Sequence, residues 1–243
     1  MKQPYELLPI TADDMDAAMA VNKIAFLHDA LRTATFPPGL VDPAQPDGEA
    51  EFHRRRFRMR LGNPRFIMHK ILADDGSIAG ISGWIAPPKD GAEANEDDAS
   101  SSVNPTGEVP GCANRELFEA QMRLQKEMQE RVLGDNKNFW CKWRSGVAWR
   151  ERSELIGPPD LSSLATHPDH QGKGIGAALV RWGVEQAEKD CMPAYLEATP
   201  RGAFLYKKLG FEPVDEVDMS KWLPDGEEYK FLCMLKEPSS KAK

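Results

Sequence analysis

The most specific chemistry in this sequence sits in seven residues, Gln171-Gly172-Lys173-Gly174-Ile175-Gly176-Ala177. Glycines let backbone N–H groups come close to a ligand. A helix opening at the same point adds partial positive charge from its unsatisfied N–H groups. Together these suit a phosphate or pyrophosphate. Three patterns compete. A P-loop requires Gly-x-x-x-x-Gly-Lys-Ser/Thr, which is absent. A dinucleotide fingerprint requires Gly-x-Gly-x-x-Gly; Gly172, Gly174 and Gly176 are spaced wrongly for it and fall late in the chain, with little sheet to follow. The third, Gln/Arg-x-x-Gly-x-Gly/Ala, is matched in full by Gln171, Gly174 and Gly176. A glycine-rich turn that binds nothing would fit the same letters, so the surroundings decide.

Those surroundings must set the turn between a strand and a helix. Residues 161–166 read as strand, 167–173 as loop and 174–190 as an amphipathic helix. In that helix Ile175, Ala178, Leu179 and Trp182 form the apolar stripe, while Arg181, Glu185 and Glu188 face water. A strand over 193–199, a helix over 201–209 and further strands from Gly210-Phe211 and over 229–236 follow. Upstream, 4–10 is a short edge strand. Thr11, Asp13 and Asp14 open a helix over 12–28. Residues 28–48 are a Pro- and Gly-rich loop, and 49–61 is a helix carrying the basic run Arg54-Arg55-Arg56. Residues 65–73 and 77–86 form a hairpin about Asp74-Asp75-Gly76, with Gly80 and Gly83 marking a bulge. Strands alternating with helices give an α/β fold.

In this context the run from Leu161 through Thr166, His167-Pro168-Asp169-His170 and the glycine turn to Leu179 resembles the acyl-CoA-binding motif of the GNAT superfamily of N-acetyltransferases. Downstream, Tyr195-Leu196-Glu197 and the block Leu205-Tyr206-Lys207-Lys208-Leu209-Gly210-Phe211 resemble that superfamily's next block. The resemblance is strong over 158–215. It implies the GNAT fold, of α/β (α+β) class: a mixed, mostly antiparallel sheet with splayed central strands flanked by helices. Acetyl-CoA would enter the V between the splayed strands. By the resemblance, the backbone of Leu164, Ala165 and Thr166 holds the pantetheine arm. N–H groups of Gln171, Gly172, Lys173, Gly174, Ile175, Gly176 and Ala177 hold the pyrophosphate, and Thr199, Ala203 and Tyr206 line the remainder of the cofactor site.

Acetyl transfer to an amine needs a deprotonated amine, a stabilised oxyanion and a destination for the CoA thiolate. Tyr206 matches the tyrosine that many relatives use as general acid, and the backbone N–H of Leu164 is the oxyanion donor by resemblance. Glu197 and Asp160 are the candidate bases. Glu197 stands mid-strand, facing opposite to Leu196, and Asp160 lies at the start of the other splayed strand. Ser163 could relay a proton, His167 and His170 have suitable ordinary pKa values, and a water chain without a dedicated base also serves. The acceptor pocket is expected from Phe26, His28, Asp29 and Phe36, with Asp218, Trp222 and Asp225 in the later connection.

Composition bounds the rest. With 243 residues and a net charge of -7, the chain is long for the motif and unsuited to a basic nucleic-acid surface. No apolar run approaches the roughly 20 residues of a membrane span, and the first ten residues lack a secretory design. Cys112, Cys141, Cys191 and Cys233 form no CxxC pair, which argues against disulfides and a cysteine zinc site, and no metal is expected. The expectation is a cytoplasmic monomer or homodimer using acetyl-CoA on a small-molecule amine, without nucleic-acid or membrane partners. A protein N-terminal or lysine acetyltransferase and a non-catalytic acyl-CoA-binding module are the rivals. The excess length falls at about 87–157, read as an insertion into a single domain spanning 1–243. It comprises an acidic loop (89–111), a surface helix (114–133) and a Trp-rich segment (139–149) with Trp140, Trp143 and Trp149.

Overall fold

A computed structural model describes residues 5–87, 109–134, 140–142 and 164–239. In chain order the elements are β1 (Leu8–Pro9), α1 (Met15–Ala25), α2 (Ala30–Thr35), α3 (Gly48–Leu61), β2 (Phe66–Leu72), β3 (Ile78–Ile85), α4 (Arg115–Leu133), β4 (Trp140–Lys142), β5 (Leu164–Thr166), α5 (Ile175–Lys189), β6 (Ala194–Ala198), α6 (Ala203–Lys208), β7 (Glu212–Asp218) and β8 (Lys230–Lys236). The expected hairpin is β2–β3. Its register slips between Ile71 and Leu72, leaving Ala79 as the extra residue, next to Gly80. Helix α2 lies where a loop was expected. Asp29 explains it: its carboxylate accepts the Arg32 N–H at 3.0 Å, and Leu31 and Thr35 then bury one face.

The sheet order is β1-β2-β3-β4-β6-β8-β7, and β5 also pairs with β3. Strands β4 and β5 occupy one edge of β3. Cys141 and Lys142 oppose Ile85 and Trp84, while Leu164, Ala165 and Thr166 oppose Ser82, Ile81 and Gly80. They are thus two lengths of a single line along β3, left after Lys142 and rejoined at Leu164, with Gly83 at the break. Only the first length continues across the sheet: Trp140 and Cys141 pair in parallel with Ala194 and Tyr195 of β6. Among the described residues β5 pairs with β3 alone, so the sheet divides between β5 and the later half of β6.

Helix α5 covers one face of this sheet, where Trp84, Leu196, Ala198 and Met234 pack with Val180 and Ala187. Gly80 lets α5 come close, because a Cβ there would lie 2.8 Å from Ile175. The α5 stripe turns further than the pattern suggested. Val180, Gly183 and Ala187 are buried, whereas Trp182 is half-buried and lies tilted against His69, with ring centroids 4.3 Å apart. The other face carries α1, α3 and α4. Phe57 packs there with Ala18, Val21, Met68 and Ile81. Helix α4, capped by Asn114 accepting from the Leu117 N–H, is the expected packed surface helix, with Glu119, Arg123 and Glu127 exposed on its outer side. Its Leu117 and Met128 are fully buried against Tyr195, Phe231 and Cys233. Most of the acidic loop, together with Trp143 and Trp149, lies outside the described residues; Trp140 is described as backbone of β4.

Candidate active site

The parting of β5 and β6 leaves strand edges facing one another. The His167 N–H donates to the Ala79 carbonyl at 2.9 Å. Alternation along an antiparallel strand then turns Ala165 toward β3, and the N–H and C=O groups of Leu164 and Thr166 toward the β6 side. The Thr166 carbonyl accepts from the Gln171 side-chain amide at 3.1 Å, which ties the glycine turn to the end of β5. A second tie comes from Tyr5, whose hydroxyl donates to the Lys173 carbonyl.

Gly172 and Gly174 have φ of 75° and 87°, a left-handed conformation that side chains disfavour. A Cβ on either would meet nothing within 4 Å, so both present open backbone outward. Gly174 is the N-cap of α5, whose first-turn N–H groups from Ile175 onward have no partner within the helix. Gly176 is tighter: a Cβ there would lie 3.3 Å from Leu205 and 3.5 Å from the Thr166 hydroxyl. Gln171 differs from expectation. Its N–H donates to the Pro168 carbonyl at 3.2 Å, so it serves the turn through its side chain and not as a free backbone donor. His167 is likewise engaged in the loop, accepting from the Asp169 N–H at 3.3 Å. His170 stands beside it, the ring centroids 5.8 Å apart.

Tyr206 and Glu197 flank the split from opposite faces. Tyr206 is buried on the α5 face, edge-on to Phe211 with centroids 6.1 Å apart. Thr199 and Ala203 stand at the foot of its helix: the Thr199 hydroxyl accepts from the Gly202 N–H and its carbonyl from the Ala203 N–H. Glu197 shares the opposite face with Tyr195, which donates to it at 3.0 Å. Cys233 lies directly across from Glu197 on β8. Asp160 and Ser163 lie outside the described residues.

The expected acceptor residues do not form one pocket. Phe26 packs against the α1 cluster, whereas Phe36 packs against Phe52 near α4. His28 is exposed. Asp29 is structural: besides capping α2 it accepts from the buried Tyr229 hydroxyl at 2.9 Å. Trp222 packs on the α4-side core with the Lys221 ammonium over its ring. Asp218 accepts from both the N–H and the hydroxyl of Ser220, closing a turn. Sequence reasoning missed four buried polar side chains on the face of the sheet that carries α3 and α4: Arg56 and Arg60 on α3, and Gln121 and Gln125 on α4. Spacing alone held the signal, since each pair is four residues apart on an otherwise apolar face.

Residues 143–213 match a family model described as an acetyltransferase (GNAT) domain; the match begins inside the segment read as an insertion. A probable acyltransferase, SID5 of Ajellomyces capsulatus, is 34% identical over 83 residues. Those residues are 34% of this chain, and they span only 53% of that relative. Among solved structures, arylalkylamine N-acetyltransferase 2 from Aedes aegypti aligns with a TM-score of 0.58 at 15% identity, covering 97% of this chain and 99% of that one. A structure described as histone acetyltransferase HPA2 and related acetyltransferase, from Corynebacterium glutamicum, aligns with a TM-score of 0.52 at 20% identity, covering 98% and 99%. These two likenesses establish the fold, and the motif that forms the glycine turn falls within the matched domain. Over residues 143–213 the chain carries an acetyltransferase domain of the GNAT type.

Proposed function

We propose that this protein transfers an acetyl group from acetyl-CoA directly to the primary amine of a small molecule, both substrates being bound together. One observation carries the reading: among the described residues β4 pairs with β6 but β5 does not, and that edge of β5 leads straight into the glycine turn at the start of α5. Pantetheine amides can pair with the edge that Leu164 and the Thr166 N–H present, as an added strand would. The open backbone at Gly172 and Gly174 and the first-turn N–H groups of α5 suit the pyrophosphate. When bound, the thioester supplies the activated acetyl group. The chain's own residues orient it and manage protons. Glu197, on the face away from α5, takes the amine proton, and Tyr206, on the α5 face, supplies one to the departing thiolate.

A small acceptor is favoured over a protein because α4 covers the face on which Glu197 stands. Thiol release from acetyl-CoA, measured against a broad panel of amines with peptides included, tests the reading. Amine-dependent release with small molecules supports it. Release with peptides alone would replace it with protein acetylation, and CoA binding without release would reduce the chain to an acyl-CoA-binding module.

A further inference from the structure

Four buried polar side chains converge on one corner of the face that carries α3 and α4. On α4, Leu117 and Met128 face the sheet, among Tyr195 and Cys233, while Phe118 meets Phe52 of α3 with ring centroids 6.1 Å apart. Helical geometry sets Gln121 and Gln125 between those two directions. On α3, Phe52 faces α4 and Phe57 packs toward the sheet, with Met68 and Ile81. Arg56 and Arg60 fall between these in turn. Both pairs therefore point into the angle bounded by α3, α4 and the sheet.

That angle lies above the split. Helix α3 stands over the β2–β3 side and α4 over the β6–β8 side, and the sheet order puts β4 and β5 between them. The floor there is Gly83, which has no side chain, at the break between β4 and β5, and Glu197 on the far side of the gap. Arg60 lies over the Phe66 ring, 5.8 Å from its centroid, and a Cβ on Gly83 would meet that same ring at 2.9 Å. The guanidinium is thereby tied to the break itself.

Gln125 is the independent sign of a ligand. It is 5% exposed, and its amide oxygen and nitrogen are both buried with no hydrogen-bond partner among the described residues. A buried amide left so is costly, and a ligand offering both a donor and an acceptor removes the penalty. The two buried guanidiniums of α3, facing the same angle, suit negative charge, because a fork of N–H donors matches a carboxylate.

We propose that the acceptor is an amine that also bears a carboxylate, with Arg56 and Arg60 receiving the carboxylate and Gln125 fixing the group between it and the amine. This rests on the acetyltransferase reading above and names the substrate class for that site.

The test pairs each amino acid or ω-amino acid with its decarboxylated amine as acceptors, following thiol release from acetyl-CoA with the full chain. The expected result is a kcat/KM about ten- to a hundredfold higher for the carboxylate member, the scale of hydrogen bonds to a buried charge. Arg60→Gln and Gln125→Leu should shrink that ratio, chiefly through KM, at unchanged CoA affinity. Arg60→Lys, which keeps the charge, should restore part of it. Unfolding midpoints near wild type show that the variants are folded, and a competing carboxylate such as hexanoate reports the subsite by protection even in a poorly active variant. Turnover of amines without carboxylate preference overturns this subsite alone. No turnover of any panel member, with CoA bound, overturns the acetyltransferase reading and the subsite with it.

Discussion

The Tyr195 hydroxyl donates to the Glu197 carboxylate at 3.0 Å, though the two stand side by side on one face of a single strand. Cys233, across from Glu197, completes the group. Burial pushes its thiol up to about 12, with the Glu197 charge adding to the effect. A thiol so held stays protonated at neutral pH and is a poor nucleophile. The carboxylate is the group on this face able to take a proton. Glu197→Gln should therefore lower kcat by about two to four orders of magnitude at unchanged CoA affinity, whereas Cys233→Ala should keep kcat within a few-fold. Stopped assays of thiol release alongside CoA titration calorimetry check both. An acetyl-cysteine at 233 trapped by mass spectrometry would point to a covalent route instead.

Tyr206 is packed edge-on to Phe211 and against Gly202, where a Cβ would sit 3.2 Å from its ring. Phe keeps that packing and removes only the hydroxyl. Tyr206→Phe should thus lower kcat at least about tenfold, the low side of general-acid effects, with the unfolding midpoint and CoA affinity near wild type. A variant as active as wild type across the pH range would make Tyr206 a packing residue.

Gly174→Glu should abolish CoA binding while leaving the protein folded. Nothing stands within 4 Å of the new Cβ, so the chain itself is not overpacked. The strain of a side chain at φ 87° is about 1–2 kcal/mol. The added carboxylate, however, stands at the N-terminus of α5, where the proposed pyrophosphate must lie. Calorimetric titration with CoA decides; measurable binding by this variant would move the pyrophosphate elsewhere.

Gly183 makes the opposite prediction. The indole of Trp84 fills the space of its missing side chain, and a Cβ would lie 2.0 Å from the ring. Both residues are buried between α5 and the sheet. An alanine elsewhere in the middle of a helix is favourable by up to about 1 kcal/mol over glycine. Here Gly183→Ala should destabilise by about 3 kcal/mol, the upper range for overpacking, read as a lower urea midpoint with the same slope. A stabilised variant would mean that Trp84 has a second place to go.

These glycines show what the sequence could and could not reveal. Gly172, Gly174 and Gly176 were legible because their spacing is local and their partner is backbone conformation. Gly183 was not, because its reason lies on β3, about a hundred residues away. The same holds for the site. Glu197 was placed on its face by alternation along one strand, but that α4 packs over that face, on Tyr195 and Cys233, depends on where α4 lies, which no local pattern fixes. Asp29 was misread for a related reason: a buried acid in an aromatic stretch suits an acceptor site as well as a helix cap, and only the distant Tyr229 hydroxyl distinguishes them. The expected loop over 28–48 failed locally, since the capping Asp29 outweighed the surrounding prolines and glycines.

His69 gives stability a dependence on pH below neutral. Burial against Trp182 holds its imidazole below the ordinary value of 6.5. The unfolded chain therefore takes up this proton first as pH falls, and stability rises with pH wherever it does so. The contribution is complete above about pH 6.5 and is lost as pH drops toward the folded value. Four carboxylates are held low as well, Asp75 and Asp218 by their hydrogen bonds from Ser77 and Ser220, and Glu49 and Asp14 against their burial. Burial raises Glu49, but the His53 hydrogen bond and the Arg32 guanidinium outweigh it; burial raises Asp14, but Lys70 and Thr11 outweigh that. Their contributions persist until the pH falls below the ordinary carboxylate range of about 4 to 4.5. Between about pH 7.5 and 5 the loss assigned to these groups thus belongs to His69. His69→Phe, which keeps a ring on Trp182 and removes the titration, should flatten the fall of the urea midpoint across that interval. A variant whose midpoint falls as steeply as wild type's would take the assignment away from His69.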